Sequence, residues 1–316
     1  MIIVVSLNPS VDWLYSVPKF LYGGLNRVKL VCQDIAGKGI NVAVALKNLK
    51  INPIYMGFNF IENGNLLTDK LTKEQIEHDL VTVPGAIRVN IKLYEENTMT
   101  ELNQLGDTVS AQVVQNLFDK IKQSIWNVEK NILILTGSCP QGVKDDFYAR
   151  ICENWAGKVI LDTEGESLRL AIESQKPPYA IKPNLYELQK TFGLKNTEPK
   201  EIALFCKDLL KKYTKLNLIC VSLGAEGAIW ATQSSALYCP AFEVNVKSVH
   251  GAGDSMVAAL AYGLLQKNTS ETMLFSHVMS AATATVIHDG TNMCTLEGFK
   301  EILNSQPHLS FKNILD

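Results

Sequence analysis

Four apolar runs of strand length constrain the fold of this chain most: Ile2 to Leu7, Ile132 to Leu135, Val159 to Leu161 and Leu218 to Ser222. Such runs are apolar on both faces of the pleat, as is required of strands in a parallel sheet covered by helices. Helix-like stretches lie between them: Ile40 to Leu49 after a glycine turn, Ala111 to Ile125, Asp145 to Trp155, Leu185 to Phe192, Glu201 to Tyr213 and Met256 to Leu265. The alternation predicts an α/β chain with a doubly wound, mostly parallel sheet and ligand sites at the carboxyl ends of its strands. Two segments, Trp13 to Gln33 and Ile87 to Glu101, break the rhythm. In the second, Val89, Ile91 and Leu93 alternate with Asn90, Lys92 and Tyr94. They read as antiparallel strands exposed on one face, forming a small lid outside the main sheet. With no internal repeat and no Pro/Ser-rich linker, residues 1–316 are expected to be one domain, with the lid built from about 13–33 and 87–101.

The charge balance narrows the partner. Lys+Arg number 30 against Asp+Glu 32, and there is no long basic run, so neither nucleic acid nor a membrane surface is an expected partner. The apolar start, Met1 to Leu7, is too short for a signal peptide or a membrane span, and a cytoplasmic protein acting on a small molecule is expected. Seven cysteines are scattered singly with no metal-type spacing, and read as reduced, mostly buried thiols.

Candidate chemistry gathers at glycine turns. Val249-His250-Gly251-Ala252-Gly253-Asp254-Ser255 sets a turn and a carboxylate at the start of an apolar helix. Two glycines let backbone N–H groups converge on an anion, the helix dipole adds positive charge, and Asp254 could take a proton from an attacking hydroxyl. A tight turn with an Asp or Ser N-cap is the alternative. Ala36-Gly37-Lys38-Gly39-Ile40-Asn41 also precedes a helix and could hold hydroxyls or a phosphate, although neither a P-loop nor a dinucleotide fingerprint is present. Asn8 and Asp12 follow the first strand, and Gly137-Ser138-Cys139-Pro140-Gln141-Gly142 follows the second. Lys182-Pro183-Asn184-Leu185-Tyr186-Glu187 puts Asn184 and Glu187 on one helix face, as a ligand pair or a capping box would. Ser222-Leu223-Gly224-Ala225-Glu226-Gly227 reads as a nucleotide loop or a hairpin turn. Arg27, Arg88, Lys92 and Lys38 are cations suited to a phosphate already on the substrate.

Taken in order, Asn8-Pro9-Ser10-Val11-Asp12, Gly37-Lys38-Gly39-Ile40-Asn41, Gly137-Ser138-x-Pro140-x-Gly142, Lys182-Pro183-Asn184-x-x-Glu187, Ser222-Leu223-Gly224-x-x-Gly227 and Gly251-Ala252-Gly253-Asp254 resemble the ribokinase/PfkB sugar-kinase family over essentially the whole chain. The resemblance implies a three-layer α/β/α core, a β-sheet lid serving as a homodimer contact, ATP as donor, Mg²⁺ as helper and, in some relatives, a monovalent cation. It implies Asp254 as the base, with Gly251, Ala252 and Gly253 as an anion hole. Lys182, Asn184 and Glu187 fall to the donor's phosphates and metal, Glu187 acting through water, and Ser222, Gly224, Glu226 and Gly227 to the nucleotide. Asn8, Asp12, Gly37, Gly39, Asn41 and Ser138 would hold the sugar, with Arg27, Lys38, Arg88 and Lys92 near its phosphate. Arg88-Val89-Asn90-Ile91-Lys92 resembles the branch that phosphorylates fructose 1-phosphate at its 6-hydroxyl, with tagatose 6-phosphate as the competing acceptor. His250 departs from the Val, Thr or Pro usual at its position.

Overall fold

The four apolar runs become neighbouring strands in one wide sheet, as their two-sided burial demands. The computed structural model describes residues 1–96, 98–124, 131–288, 290, 292–305 and 311–315. In chain order the first half comprises β1 (Ile2–Ser6), β2 (Ser10–Ser16), β3 (Lys29–Ala36), α1 (Lys38–Asn48), β4 (Pro53–Phe60), α2 (Asn65–Lys73), β5 (Glu77–Val83), β6 (Arg88–Glu95), β7 (Thr98–Asn103), α3 (Ala111–Gln123) and β8 (Ile132–Thr136). There follow α4 (Phe147–Asn154), β9 (Lys158–Asp162), α5 (Gly165–Glu173), β10 (Ala180–Ile181), α6 (Leu185–Phe192), α7 (Pro199–Lys212) and β11 (Leu218–Ser222). The chain closes with β12 (Ala228–Thr232), β13 (Ala236–Cys239), α8 (Ala252–Leu265), α9 (Glu271–Val286), α10 (Leu296–Ser305) and β14 (Lys312–Asn313).

The main sheet has ten strands in the order β14-β13-β12-β11-β10-β9-β8-β1-β4-β5. Every neighbouring pair from β5 across to β11 is parallel, and β12, β13 and β14 add an antiparallel edge. Val4 pairs with Tyr55 on one side and Ile134 on the other, and Ile2 to Val5 are wholly buried. Chain order reverses at β1, which lies between β4 and β8, so the loops after β1 and β8 diverge and leave a crevice at their carboxyl ends. Helices present apolar stripes to the sheet. On α3, Val114, Leu117, Phe118 and Ile121 are buried, and Ser110 caps the helix by accepting the Val113 N–H.

A second sheet of four strands, β3-β2-β6-β7, is built from the two segments expected to form the lid. Its central pair, β2 with β6, is parallel rather than antiparallel as expected. Two antiparallel hairpins, β2–β3 and β6–β7, leave the main body separately and dock edge to edge, and side-by-side docking carries no requirement for opposite direction. Within Trp13 to Gln33 only the two ends are strand, because Pro18, Gly23 and Gly24 fall in a loop between β2 and β3. The expected helix end at Ile125 and Asn97 of the lid lie outside the described residues. All seven cysteines are free, and all but Cys32 and Cys139 are buried. Among the described residues no helix is long and apolar enough to cross a membrane.

Candidate active site

The expected catalytic turn sits where α8 begins. The helix starts at Ala252, ahead of the expected Met256, with Gly251 as its N-cap in the left-handed conformation at φ 79°. A Cβ on Gly251 would lie 2.1 Å from Met293 Cε, so both backbone and packing call for glycine there. Ser255 N–H donates to the Gly251 carbonyl at 2.9 Å, so the N–H groups of Ala252, Gly253 and Asp254 precede the helical ladder and can point at an anion. The reading of Asp254 as an N-cap is corrected: it lies inside the first turn and makes no capping bond. Its Oδ2 accepts from Asn41 Nδ2 at 2.8 Å. That contact ties α8 to α1, whose start is pressed against β1: a Cβ on Gly39 would lie 2.2 Å from Ser6 Cβ.

Beneath the turn lies a cluster of buried charge. Asp162, at the end of β9 and 1% exposed, receives Lys38 and Lys182 at 3.3 Å each and Thr136 Oγ1 at 3.3 Å. Lys38 reaches Glu187 at 3.2 Å. Glu187 also accepts the Asn184 N–H at 2.8 Å while Asn184 Oδ1 accepts the Glu187 N–H at 2.8 Å, so the capping box forms and still leaves Glu187 facing the cluster. The Cβ position of Gly253 is 3.2 Å from Lys182 Nζ, which places that ammonium beside the turn.

These contacts set the protonation states. Burial, and then the Asp162 charge, push the Asp254 carboxyl up to about 6, against the pull of Lys38, Asn41 and Lys182. Burial alone would raise Asp162 too, but Lys182 and Lys38 hold it below the usual carboxylate range. Burial works against the Lys38 ammonium, yet Asp162, Glu187 and Asp254 raise its pKa overall. Lys38 was expected beside the sugar's phosphate; its amine instead lies between Asp162 and Glu187. Asp162 was missed, and the available signal was a carboxylate closing the apolar run Val159 to Leu161 at a ligand-binding edge.

The crevice beside β1 and the inner lid carry the remaining polar groups. Asn8 Nδ2 donates to Ser138 Oγ at 3.1 Å across the diverging loops. Asp12 Oδ1 accepts from Ser10 Oγ and Asn90 Nδ2, both at 3.0 Å, and Oδ2 pairs with Lys92 at 2.8 Å. Arg88 Nη1 donates to Asn90 Oδ1 and the Gln104 carbonyl at 3.2 Å each, while its Nε is buried without a partner. A half-buried guanidinium with a spare donor suits an anion. Asn90 and Ser10 were not singled out by sequence reasoning. Arg27 lies exposed in the loop joining β2 to β3, whereas Arg88 and Lys92 are held in the sheet. Gly37 precedes α1 as its N-cap.

On the far side of Asp162, Ser222 bridges to Asn184, and its N–H donates to the Pro183 carbonyl at 3.1 Å. Gly224 to Glu226 form one 3₁₀ turn between β11 and antiparallel β12, and the Leu223 N–H donates to the Gly227 carbonyl at 2.8 Å. The hairpin reading of this loop is realised, at the edge that also carries Asn184. For a divalent ion, no cluster of three or more His, Cys, Asp or Glu exists among the described residues, and Asp162 and Glu187 already serve lysines. That donor set fits an ion held mainly by water and substrate phosphates, the habit of Mg²⁺.

The model of the pfkB family of carbohydrate kinases matches residues 2–296. The chain is 32% identical over 308 residues to a 1-phosphofructokinase of Borreliella burgdorferi, covering 96% of both chains. It is 33% identical over 267 residues to a 1-phosphofructokinase of Bacillus subtilis, covering 84% of this chain and 86% of the other. Its fold is similar to that of phosphofructokinase-2 from Escherichia coli, with a TM-score of 0.87 at 24% identity over 96% of this chain and 98% of that one.

Proposed function

As the chain belongs to the pfkB family of carbohydrate kinases, we propose that it transfers the γ-phosphoryl group of ATP to the 6-hydroxyl of D-fructose 1-phosphate. The observation that carries this reading is Asp254: a buried carboxylate in the first turn of α8, held by Asn41 and flanked by lysines. The choice of acceptor is supported by relatives named 1-phosphofructokinase and by Arg88 and Lys92 on the lid.

The 6-hydroxyl oxygen forms the new P–O bond as the bond to the ADP oxygen breaks, and the hydroxyl proton passes to Asp254. A carboxylate raised to about 6 is ionised near neutrality yet more basic than an exposed one. Asn41 fixes Oδ2 and leaves Oδ1 for the hydroxyl. The N–H groups of Gly251 to Asp254 and the Lys182 ammonium meet the charge that develops on the phosphoryl oxygens. Lys38 and Lys182 balance Asp162, so the floor of the site keeps its geometry without carrying excess negative charge toward phosphate. Asp12, Asn90, Asn8 and Ser138 take the sugar hydroxyls, and Arg88, Lys92 and Arg27 its phosphate. Ser222, Gly224, Glu226 and Gly227 line the nucleotide. Glu187 is the residue that would hold Mg²⁺, through water, and the ion bound with ATP would supply further charge neutralisation.

The lid leaves Tyr22, Leu25, Leu30, Val31, Met99 and Leu102 exposed, more apolar surface than a lone small sheet carries without cost. A second copy packed on this face gives a homodimer; sedimentation equilibrium of Leu102→Glu is expected to report a lighter species than the parent. The main test is ADP release with fructose 1-phosphate, tagatose 6-phosphate, fructose 6-phosphate and fructose. The highest kcat/KM is expected for fructose 1-phosphate. Another phosphohexose in first place overturns the acceptor, and no ADP release with any of them overturns the kinase reading.

A further inference from the structure

The proposed anion-hole turn, Gly251 to Asp254, is fastened to the carboxyl end of α9. Thr285, in the last turn of that helix, is 1% exposed. Its Oγ1 shares one proton between Ser255 Oγ at 2.7 Å and the Ala281 carbonyl at 2.9 Å, and it accepts the Cys294 N–H at 3.1 Å. Ser255 and Cys294 both lead to the turn. Ser255 follows Asp254, is wholly buried, and donates its N–H to the Gly251 carbonyl at 2.9 Å. Cys294 follows Met293, whose Sδ lies 3.7 Å from Ser255 Oγ and whose Cε fills the space beside Gly251. The carbonyl of the next residue on α9, Val286, accepts the Lys247 and Ser248 N–H groups at 2.8 and 3.2 Å, which fixes the segment entering the turn.

We propose that Thr285 is a positioning residue for phosphoryl transfer, its hydroxyl setting where the anion-hole turn and Asp254 stand by holding Ser255 and the Met293–Cys294 segment at once. The proposal rests on the reading of Gly251 to Asp254 as the anion hole. Asn41 of α1 fixes the Asp254 side chain, and Thr285 of α9 fixes the backbone that carries it. Valine has nearly the shape of threonine without the hydroxyl. Thr285→Val therefore leaves a buried hydroxyl and a buried N–H without this partner, and they regain one only by moving. Because Ser255 adjoins Asp254 and Met293 packs on Gly251, that movement reaches the N–H groups meant for the transferred phosphoryl oxygens. The acceptor's proposed partners Asp12, Asn90 and Arg88 lie in the other sheet, so the loss falls on the transition state and spares acceptor affinity.

The test is steady-state kinetics with ATP and the phosphohexose that the parent turns over fastest, alongside the urea unfolding midpoint of each variant. Thr285→Val is expected to lower kcat by roughly 10–10²-fold, the scale of a misplacement of about 1 Å, with the acceptor KM within about twofold. Thr285→Ser keeps the hydroxyl and is expected to stay within about threefold of the parent. Ser255→Ala removes the same bond from its other end and is expected to lower kcat about tenfold; it carries the test if Thr285→Val does not fold. Val278→Ala, a buried cut about two turns earlier in α9, controls for stability alone and is expected to lower the unfolding midpoint with kcat unchanged. Parental kcat in Thr285→Val or Ser255→Ala, a loss confined to KM, no rescue by Thr285→Ser, or an equal kcat loss in Val278→Ala overturns the positioning role and leaves the kinase reading intact. A parent that releases no ADP with any phosphohexose overturns the anion-hole reading and the positioning role with it.

Discussion

Two carboxylate–lysine pairs face the site, one in each sheet, and their surroundings make them different devices. Asp162 and Lys182 on the main sheet are 1% and 5% exposed, while Asp12 and Lys92 on the lid are 16% and 14% exposed. In the dry interior the attraction is strong, but both ions have lost their hydration, so the pair holds only while every partner is present. Lys38 and Thr136 complete that shell around Asp162. The lid pair keeps some water, and Asp12 has Ser10 and Asn90 as further donors, so Lys92 can exchange partners when a ligand arrives. On the proposed reading, the phosphoryl-transfer floor is preorganised and the acceptor wall adaptable.

The sharpest way to break this comparison is to substitute the group on the floor assigned to the chemistry. Asp254→Asn is expected to lower kcat by roughly 10²–10⁴-fold with little change in acceptor affinity, read by steady-state kinetics and calorimetry. An equal kcat loss from Asp12→Asn would erase the distinction between floor and wall. Next in size is stability. Lys182→Met leaves Asp162 with one fewer cation and is expected to cost about 3–5 kcal/mol in urea unfolding. Lys92→Met is expected to cost about 1 kcal/mol and to appear chiefly as a raised KM.

Two pH measurements sharpen the contrast further. The base must be ionised, so kcat/KM is expected to fall toward tenfold per unit as pH drops below about 6, an acid limb that tracks Asp254. The smallest effect is on folding. The Asp254 carboxyl is raised in the folded state, so its contribution to stability is fully present below its ordinary value of 3.8 and lost as pH rises through about 6. Asp254→Asn is therefore expected to be more stable than the parent by about 1–2 kcal/mol at neutral pH, with the gain vanishing near pH 4 in chemical denaturation.

Local pattern carried a good part of this molecule. The apolar run Leu218 to Ser222 is β11, and Leu185 to Phe192 is α6, since a buried strand and a capped amphipathic helix are both written in adjacent residues. The start of α8 was misplaced because Ala252-Gly253-Asp254-Ser255 lacks apolar periodicity; the left-handed turn at Gly251 starts the helix instead. α9 was not foreseen, although Phe275 to Ala281 lie buried in it, because a helix apolar on most sides has no clear stripe. Within the site, glycine turns and motif order marked Asp254, Asn41, Lys182 and Glu187. Asp162 and Asn90 had only single positions to announce them, and their importance comes from what surrounds them.

By itself, then, the sequence determined the parallel main sheet, the helices with clear stripes, the existence of a second small sheet and the loops proposed for the chemistry, because each depends on residues near one another along the chain. Tertiary structure alone decided that β2 and β6 run parallel, that Lys38 turns to Asp162 and Glu187, and that Asn41 holds Asp254. Each of these depends on distance and dielectric between segments far apart in the chain. A shifted pKa is a property of that packed neighbourhood, and no single segment of the chain contains it.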